Sequence, residues 1–149
     1  MTITEGSNVG GYMVESQLGR GGFKTVYRAH NTQASENGFP EYVALCVPHT
    51  QDAESRALLE NECRIAQSLE HPGIVKFFAV EEAGGVFFAV TELVEGETLS
   101  QVLKRRGPLP LAEAVEVARQ VAEALDYLHA GLRFHRDIKP ANLMLAQPS

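Results

Sequence analysis

The sequence is poor in cysteine and carries no excess of positive charge. Only two of its 149 residues are cysteines, Cys46 and Cys63, and their spacing is not that of a metal site. A reduced, cytosolic setting is therefore expected. The net charge is −6 and the basic residues are scattered, which argues against nucleic acid as a partner.

Long apolar segments are also missing. No run approaches the roughly 18 residues that a membrane span requires. The N-terminal stretch MTITEGSNVGGY is polar and does not resemble a signal peptide. We expect residues 1–10 to form a flexible lead-in, and the chain to be cytoplasmic. At 44% hydrophobic and 21% charged residues, it has the composition of one globular domain or of part of a larger one.

The first two thirds of the chain show strand signals around a single helix. Strands are predicted at 12–19, 25–30 and 42–48, and two more flank the hairpin signal Ala83-Gly84-Gly85. Helical spacing runs from 52 to 71. These elements predict an antiparallel sheet with one helix packed on it.

The predicted helix at 52–71 places one charge on an apolar stripe. Leu58, Glu62, Ile65 and Leu69 recur at i, i+4, i+7 and i+11. A charge on such a stripe requires a partner, although a solvated glutamate at the edge of the stripe is the plainer interpretation. Glu62 is therefore a candidate functional residue.

The last third of the sequence predicts helices. Thr98 is placed to cap a short one, and a long helix is expected over 108–131, opened by prolines and closed by Gly131. This long helix is apolar on several sides and requires cover. Because few residues follow it, we expect a partner or further chain to cover residues 111–128.

Two motifs carry the chemistry. The first, LGRGGFKTVY at 18–27, is a glycine-rich turn between two strands, which lets backbone N–H groups approach phosphates closely. Alone, such a turn is usually just a hairpin. The second, HRDIKPAN at 135–142, places an aspartate, a lysine and an asparagine in a loop after a long helix. Together, in this order, they resemble the glycine-rich and catalytic loops of serine/threonine protein kinases.

The resemblance implies ATP and Mg²⁺ as cofactors and assigns the catalytic roles. Asp137 would orient the attacking hydroxyl of a protein substrate, Lys139 would neutralise the γ-phosphate, and Asn142 would be a metal ligand. The implied fold is α+β and protein-kinase-like. A five-stranded small lobe with one helix would occupy 11–91, a hinge 92–96, and the first helices of the large lobe 97–149.

The same resemblance names the nucleotide-binding residues. Glu62 lies nine residues before His71 of EHPGIV, as the glutamate of the kinase regulatory helix does. In VTELVEG, Thr91 would be the gatekeeper beside the adenine, and Ala44 and Met144 would enclose the ring. The remaining implied contacts are Leu18, Gly19, Gly21, Gly22, Lys24 and Val26 of the loop, and Glu92 and Val94 of the hinge.

Two residues depart from the kinase pattern, and Lys24, in place of the usual third glycine of the loop, is one of them. Cys46, in VALCVP, stands where most kinases have the lysine that holds the α- and β-phosphates. Side chains alternate along a strand, so Lys24 shares a face with Val26, and Ala44 shares one with Cys46. Lys24 would then reach the phosphates, paired with Glu62. GRGGFKTVY with VALC is similar to the With-No-Lysine (WNK) kinases, whereas HPGIV and HRDIKPANLML are similar to bacterial kinases.

Two interpretations stay open. In the first, the chain is the front portion of a kinase with a relocated lysine. In the second, it is a truncated pseudokinase that binds nucleotide or protein without catalysis. After Asn142 the sequence LMLAQPS offers no acidic residue for a second metal ligand. We therefore expect little or no phosphoryl transfer from these residues alone.

Overall fold

The computed structural model describes residues 2–130 and 144–146. Within them the chain forms two compact units, one of residues 2–70 and 75–93, the other of residues 71–74, 94–130 and 144–146. The first unit contains the strands β1 Asn8–Val9, β2 Tyr12–Arg20, β3 Lys24–Asn31, β4 Tyr42–Pro48, β5 Phe77–Ala83 and β6 Val86–Glu92, and the helices α1 Ala34–Asn37 and α2 Ala53–Gln67. The second contains β7 Gly96–Thr98, α3 Leu99–Arg106, α4 Leu111–Ala130 and β8 Met144–Ala146.

The six strands of the first unit form one antiparallel sheet in the order β1-β2-β3-β4-β6-β5. The five strands expected from the sequence are confirmed. The connection between β5 and β6 is a tight turn at Gly84 and Gly85, both in the left-handed region with φ of 59° and 79°. Glycine adopts that conformation without a steric penalty, which is why this dipeptide marks a hairpin.

The sixth strand corrects the expectation of a flexible lead-in over residues 1–10. Asn8 and Val9 pair with β2, and Val9 is completely buried. The physical reason is that apolar side chains of this otherwise polar stretch reach the core: Val9 lies in the cluster with Tyr12 and Val14, and Ile3 packs against that cluster. The sequence signal for this strand is only two residues long, too short for a periodicity to be recognised.

Each face of the sheet has its own hydrophobic cluster. One contains Val14, Ala29, Leu45, Phe88 and Val90, which are completely or almost completely buried. The other contains Cys46, Phe87 and Ala89 of the sheet together with Leu59 of α2. Helix α2 therefore packs on the face that carries Cys46.

The helix α2 is confirmed, but the stripe predicted for it is wrong. Its buried residues are Ser55, Leu59 and Cys63, at i, i+4 and i+8. Leu58 is 55% exposed and Ile65 is 41% exposed. Because Leu58 and Leu59 are adjacent, two buried stripes are possible. The stripe that packs against β5 and β6 is the one in which Leu59 is flanked by the small residues Ser55 and Cys63.

In the second unit, α3 begins as predicted at Thr98. The Thr98 side chain accepts a hydrogen bond from the backbone N–H of Gln101, whose side chain accepts one in return from the backbone N–H of Thr98. This reciprocal arrangement is a capping box. Strand β7 pairs with β8 in a separate two-stranded sheet, in which Thr98 is opposite Met144.

The long helix α4 begins at Leu111, after the prolines, and extends to Ala130. Between 111 and 128 none of its residues is fully buried, and Leu111 and Val115 are 81% and 57% exposed. Val117, Val121, Leu125 and Leu128 are half-buried, and cover of this helix by a partner or further chain stays a prediction. In the described part of the chain, no helix is both long and apolar enough to span a membrane.

Candidate functional site

The strand register brings five of the predicted site positions to one face of the sheet. Val26 of β3 is directly opposite Cys46 of β4, and Ala44 of β4 is directly opposite Thr91 of β6. Directly opposed residues of antiparallel strands share a face, and so do residues two apart in one strand. Lys24 therefore lies on the same face, diagonal to Cys46.

Around Cys46 this face is made of small side chains, with Lys24 at one edge and Arg28, opposite Ala44, farther along β3. Ala44, Cys46 and Thr91 are 5%, 6% and 3% exposed, and Val26 and Lys24 are half-buried. The Thr91 hydroxyl donates to the Glu92 carbonyl over 3.3 Å. Lys24 therefore lies at the edge of a row of small, buried side chains.

The thiol of Cys46 is uncharged in this setting. Burial raises its pKa above the ordinary value, while Lys24 and a hydrogen bond with Thr91 lower it and Glu62 raises it. Burial is the largest of these effects, so the neutral form prevails at physiological pH. The Cys46 side chain is therefore small and neutral, and both Lys24 and Glu62 act electrostatically on its thiol.

Glu62 lies on the exposed side of α2. Asp52 caps this helix by accepting from the Ser55 N–H over 2.8 Å, and the Gln67 side chain donates to the Phe78 carbonyl of β5 over 2.7 Å. Within residues 2–130, the ion pairs do not include one between Lys24 and Glu62. The structure therefore brings both groups near Cys46 without joining them.

The glycine-rich loop connects β2 and β3, with Leu18 exposed and Gly19 opposite Val26. The Gly21 N–H donates to the Lys24 carbonyl over 3.0 Å. A Cβ added at Gly19 or Gly22 would meet nothing within 4 Å, and neither glycine has a left-handed φ. Neither internal packing nor backbone conformation therefore requires these glycines.

Two residues beside Lys24 were missed by sequence reasoning. Thr25 is buried, and its Oγ1 is 2.9 Å from Nε2 of His49, which follows the last residue of β4. The His49 backbone N–H also donates to the Phe23 carbonyl over 2.9 Å. A single histidine after a proline carries no ligand spacing, so the only signal was its position opposite the loop once the strands are paired.

The remaining predicted residues belong to the second unit or fall outside the described residues. Val94 opens the second unit, and Met144 is the first residue of β8. Asp137, Lys139 and Asn142, the predicted catalytic and metal-binding residues, lie outside the described residues, so their roles stay predictions.

Comparison with known proteins matches this architecture to one family. The sequence profile described as the protein kinase domain matches residues 12–149. PknH of Mycobacterium bovis, a serine/threonine-protein kinase, is 37% identical over 142 residues, covering 95% of this chain and 24% of PknH. PknF of Mycobacterium tuberculosis, another, is 37% identical over 153 residues, covering 99% of this chain and 31% of PknF.

Solved structures agree. A double-mutant form of the kinase domain of Mycobacterium tuberculosis PknI has a TM-score of 0.81 and 30% identity, over 98% of this chain and 60% of that domain. Another structure of the same domain gives 0.78 and 31%, over 97% and 58%. The chain thus spans less than a third of the curated relatives and about three fifths of the solved domain. By the profile match over nearly its whole length, it belongs to the protein kinase domain family.

Proposed function

We propose that this chain is the ATP-binding part of a serine/threonine protein kinase whose phosphate-binding lysine is Lys24. In this family ATP supplies the phosphoryl group and Mg²⁺ neutralises its charge. The hinge at 92–96 would bind adenine, and Asp137, Lys139 and Asn142 would carry the roles that the family assigns. The proposal places the domain in the cytoplasm, where ATP is available.

The observation that carries the proposal is the register of β3 against β4. Lys24 lies on the face that holds Val26, Ala44 and Cys46, two residue pairs along the ladder from the position where the family has its lysine. Cys46 is small and neutral, so it supplies no phosphate contact of its own. The other cation of β3 on this face, Arg28, is ion-paired with Glu15 at 2.9 Å, and Lys24 is the cation that acts on Cys46, which supports a relocated lysine.

The glycines of the loop fit the same ligand. A Cβ at Gly19 or Gly22 would meet no neighbouring atom, so the fold itself does not require glycine at these positions. A ligand that approaches the backbone N–H groups closely would explain the missing side chains. A triphosphate is such a ligand, and the residues present therefore fit ATP.

A second candidate is a pseudokinase that binds nucleotide or protein without catalysis. It is favoured by one observation, namely that Lys24 and Glu62 form no ion pair within residues 2–130. In the first candidate this pair forms when nucleotide binds, and in the second it never forms. The two candidates therefore differ in whether Glu62 contributes to MgATP binding through Lys24.

The test compares MgATP with adenosine as ligands of three variants of the chain. Lys24→Met removes a charge-assisted hydrogen bond, so we expect MgATP to bind roughly ten- to hundredfold more weakly. Adenosine affinity should not change, because it has no phosphate. Cys46→Ala keeps the space and should bind both ligands like the parent chain, whereas Glu62→Gln should weaken MgATP selectively.

Isothermal calorimetry supplies the dissociation constants, and ligand-induced rises in the melting midpoint supply an independent check. If Lys24→Met binds MgATP as tightly as the parent chain, the relocated lysine is ruled out. Selective loss in Lys24→Met with no effect of Glu62→Gln would favour the pseudokinase.

A further inference from the structure

The two residues next to Lys24 in sequence are both bound to His49. On one side, the His49 backbone N–H donates to the carbonyl of Phe23 over 2.9 Å. On the other side, Nε2 of the His49 ring and Oγ1 of Thr25 are 2.9 Å apart. His49, directly after β4, therefore holds both the Phe23 carbonyl before Lys24 and the Thr25 side chain after it.

The strand geometry explains why the contact falls on residue 49. Lys24 is opposite Pro48, which has no N–H to donate. The His49 N–H bond to Phe23 flanks this pair, so Lys24 and Pro48 form a non-hydrogen-bonded pair and the missing donor costs the ladder nothing. The β3–β4 ladder thus continues beyond Lys24 to His49 and ends there.

The loop beyond this point has little to hold it. Phe23 is 60% exposed, and Gly21 and Gly22 are exposed. A lysine in a glycine-rich loop would lose conformational freedom on binding phosphate, which costs free energy. A lysine whose two neighbours are already fixed loses less, so the His49 contacts favour phosphate binding by pre-organisation.

We propose that His49 is a positioning residue for Lys24, and that it acts through Thr25. This inference rests on the proposed function of Lys24 as the phosphate-binding cation. Thr25 is opposite Val47 and lies on the other face of the sheet from Lys24. The Thr25–His49 pair also borders a cavity of about 190 Å³ that none of the proposed nucleotide contacts lines. The pair therefore acts on Lys24 from the opposite face of the sheet, without touching the nucleotide.

The test measures dissociation constants for MgATP and adenosine in variants of the pair. His49→Ala removes the ring bond and keeps the backbone bond, and Thr25→Val removes the hydroxyl at constant shape. Each should weaken MgATP roughly two- to tenfold, as expected for the loss of one net hydrogen bond, and leave adenosine unchanged. His49→Gln should restore most of the affinity, because its side-chain amide can bind the Thr25 hydroxyl.

A matched control is available on β3, the strand that carries Thr25. The His30 ring bonds Glu41 over 3.2 Å at the far end of β3, so His30→Ala removes a similar bond without touching the loop. It should leave both affinities unchanged. In a Lys24→Met background, His49→Ala should have no further effect on MgATP, because the group that it positions is gone.

Each result has a distinct meaning. If His49→Ala weakens MgATP and adenosine equally, or weakens MgATP as much in the Lys24→Met background, His49 is only structural and the inference is overturned. If Lys24→Met weakens MgATP but His49→Ala does not, the inference fails and the proposed function stands. If Lys24→Met has no effect, the proposed function fails and the inference falls with it.

Discussion

The register of α2 is open to a direct test, since two adjacent leucines have opposite environments. Leu59 is 5% exposed and packs against Cys46, Phe87 and Ala89, whereas Leu58 is 55% exposed. Truncating a buried leucine to alanine costs about 2–5 kcal/mol, from lost burial and from the cavity left behind. We take about 3 kcal/mol for Leu59→Ala, and under about 0.5 kcal/mol for Leu58→Ala at the surface.

For a chain of this size, 1 kcal/mol lowers the melting midpoint by roughly 2–4 °C, so Leu59→Ala should lower it by about 6–12 °C. The chain has no tryptophan, so circular dichroism is the appropriate signal for thermal and urea unfolding. The chemistry and volume removed are the same in both variants, so each is the control for the other. If Leu58→Ala costs as much as Leu59→Ala, the observed face of α2 is wrong, and with it the placement of Glu62.

Glycines of different purpose should respond differently to alanine. Gly85→Ala forces a side chain into a left-handed φ of 79° and should cost about 1–2 kcal/mol in urea unfolding. Gly22→Ala should change unfolding by less than about 0.5 kcal/mol, yet weaken MgATP in calorimetry; unchanged MgATP binding would contradict the phosphate-approach argument. A third prediction concerns pH. The Ser55 N–H holds the pKa of Asp52 below its ordinary value of 3.8. A carboxyl with a lowered folded pKa stabilises above its unfolded pKa and loses this contribution as pH falls through the folded one. The melting midpoint of the parent chain should therefore exceed that of Asp52→Asn at pH 7, and the difference should disappear under strong acid; a constant difference would refute the charged cap.

The sequence predicted the elements better than their faces. Alternation and turn residues located the five main strands, and the Gly84-Gly85 turn is a local property that glycine alone determines. The buried face of α2 was predicted wrongly, since periodicity allows a stripe through Leu58 or through Leu59. Which leucine is buried depends on β5 and β6, which lie after the helix in the sequence and contact it only in the folded unit.

The candidate site shows the same division. Motif order and spacing pointed to Lys24, Cys46 and the kinase family, because the chemistry of phosphate binding requires those residue types in those places. The sequence alone also established that no lysine occupies position 46. Only the tertiary structure showed that His49 lies beside Thr25, 24 residues earlier in the chain. Hydrogen bonds between strands depend on the pairing register, and that register is decided by how the whole sheet buries its two faces.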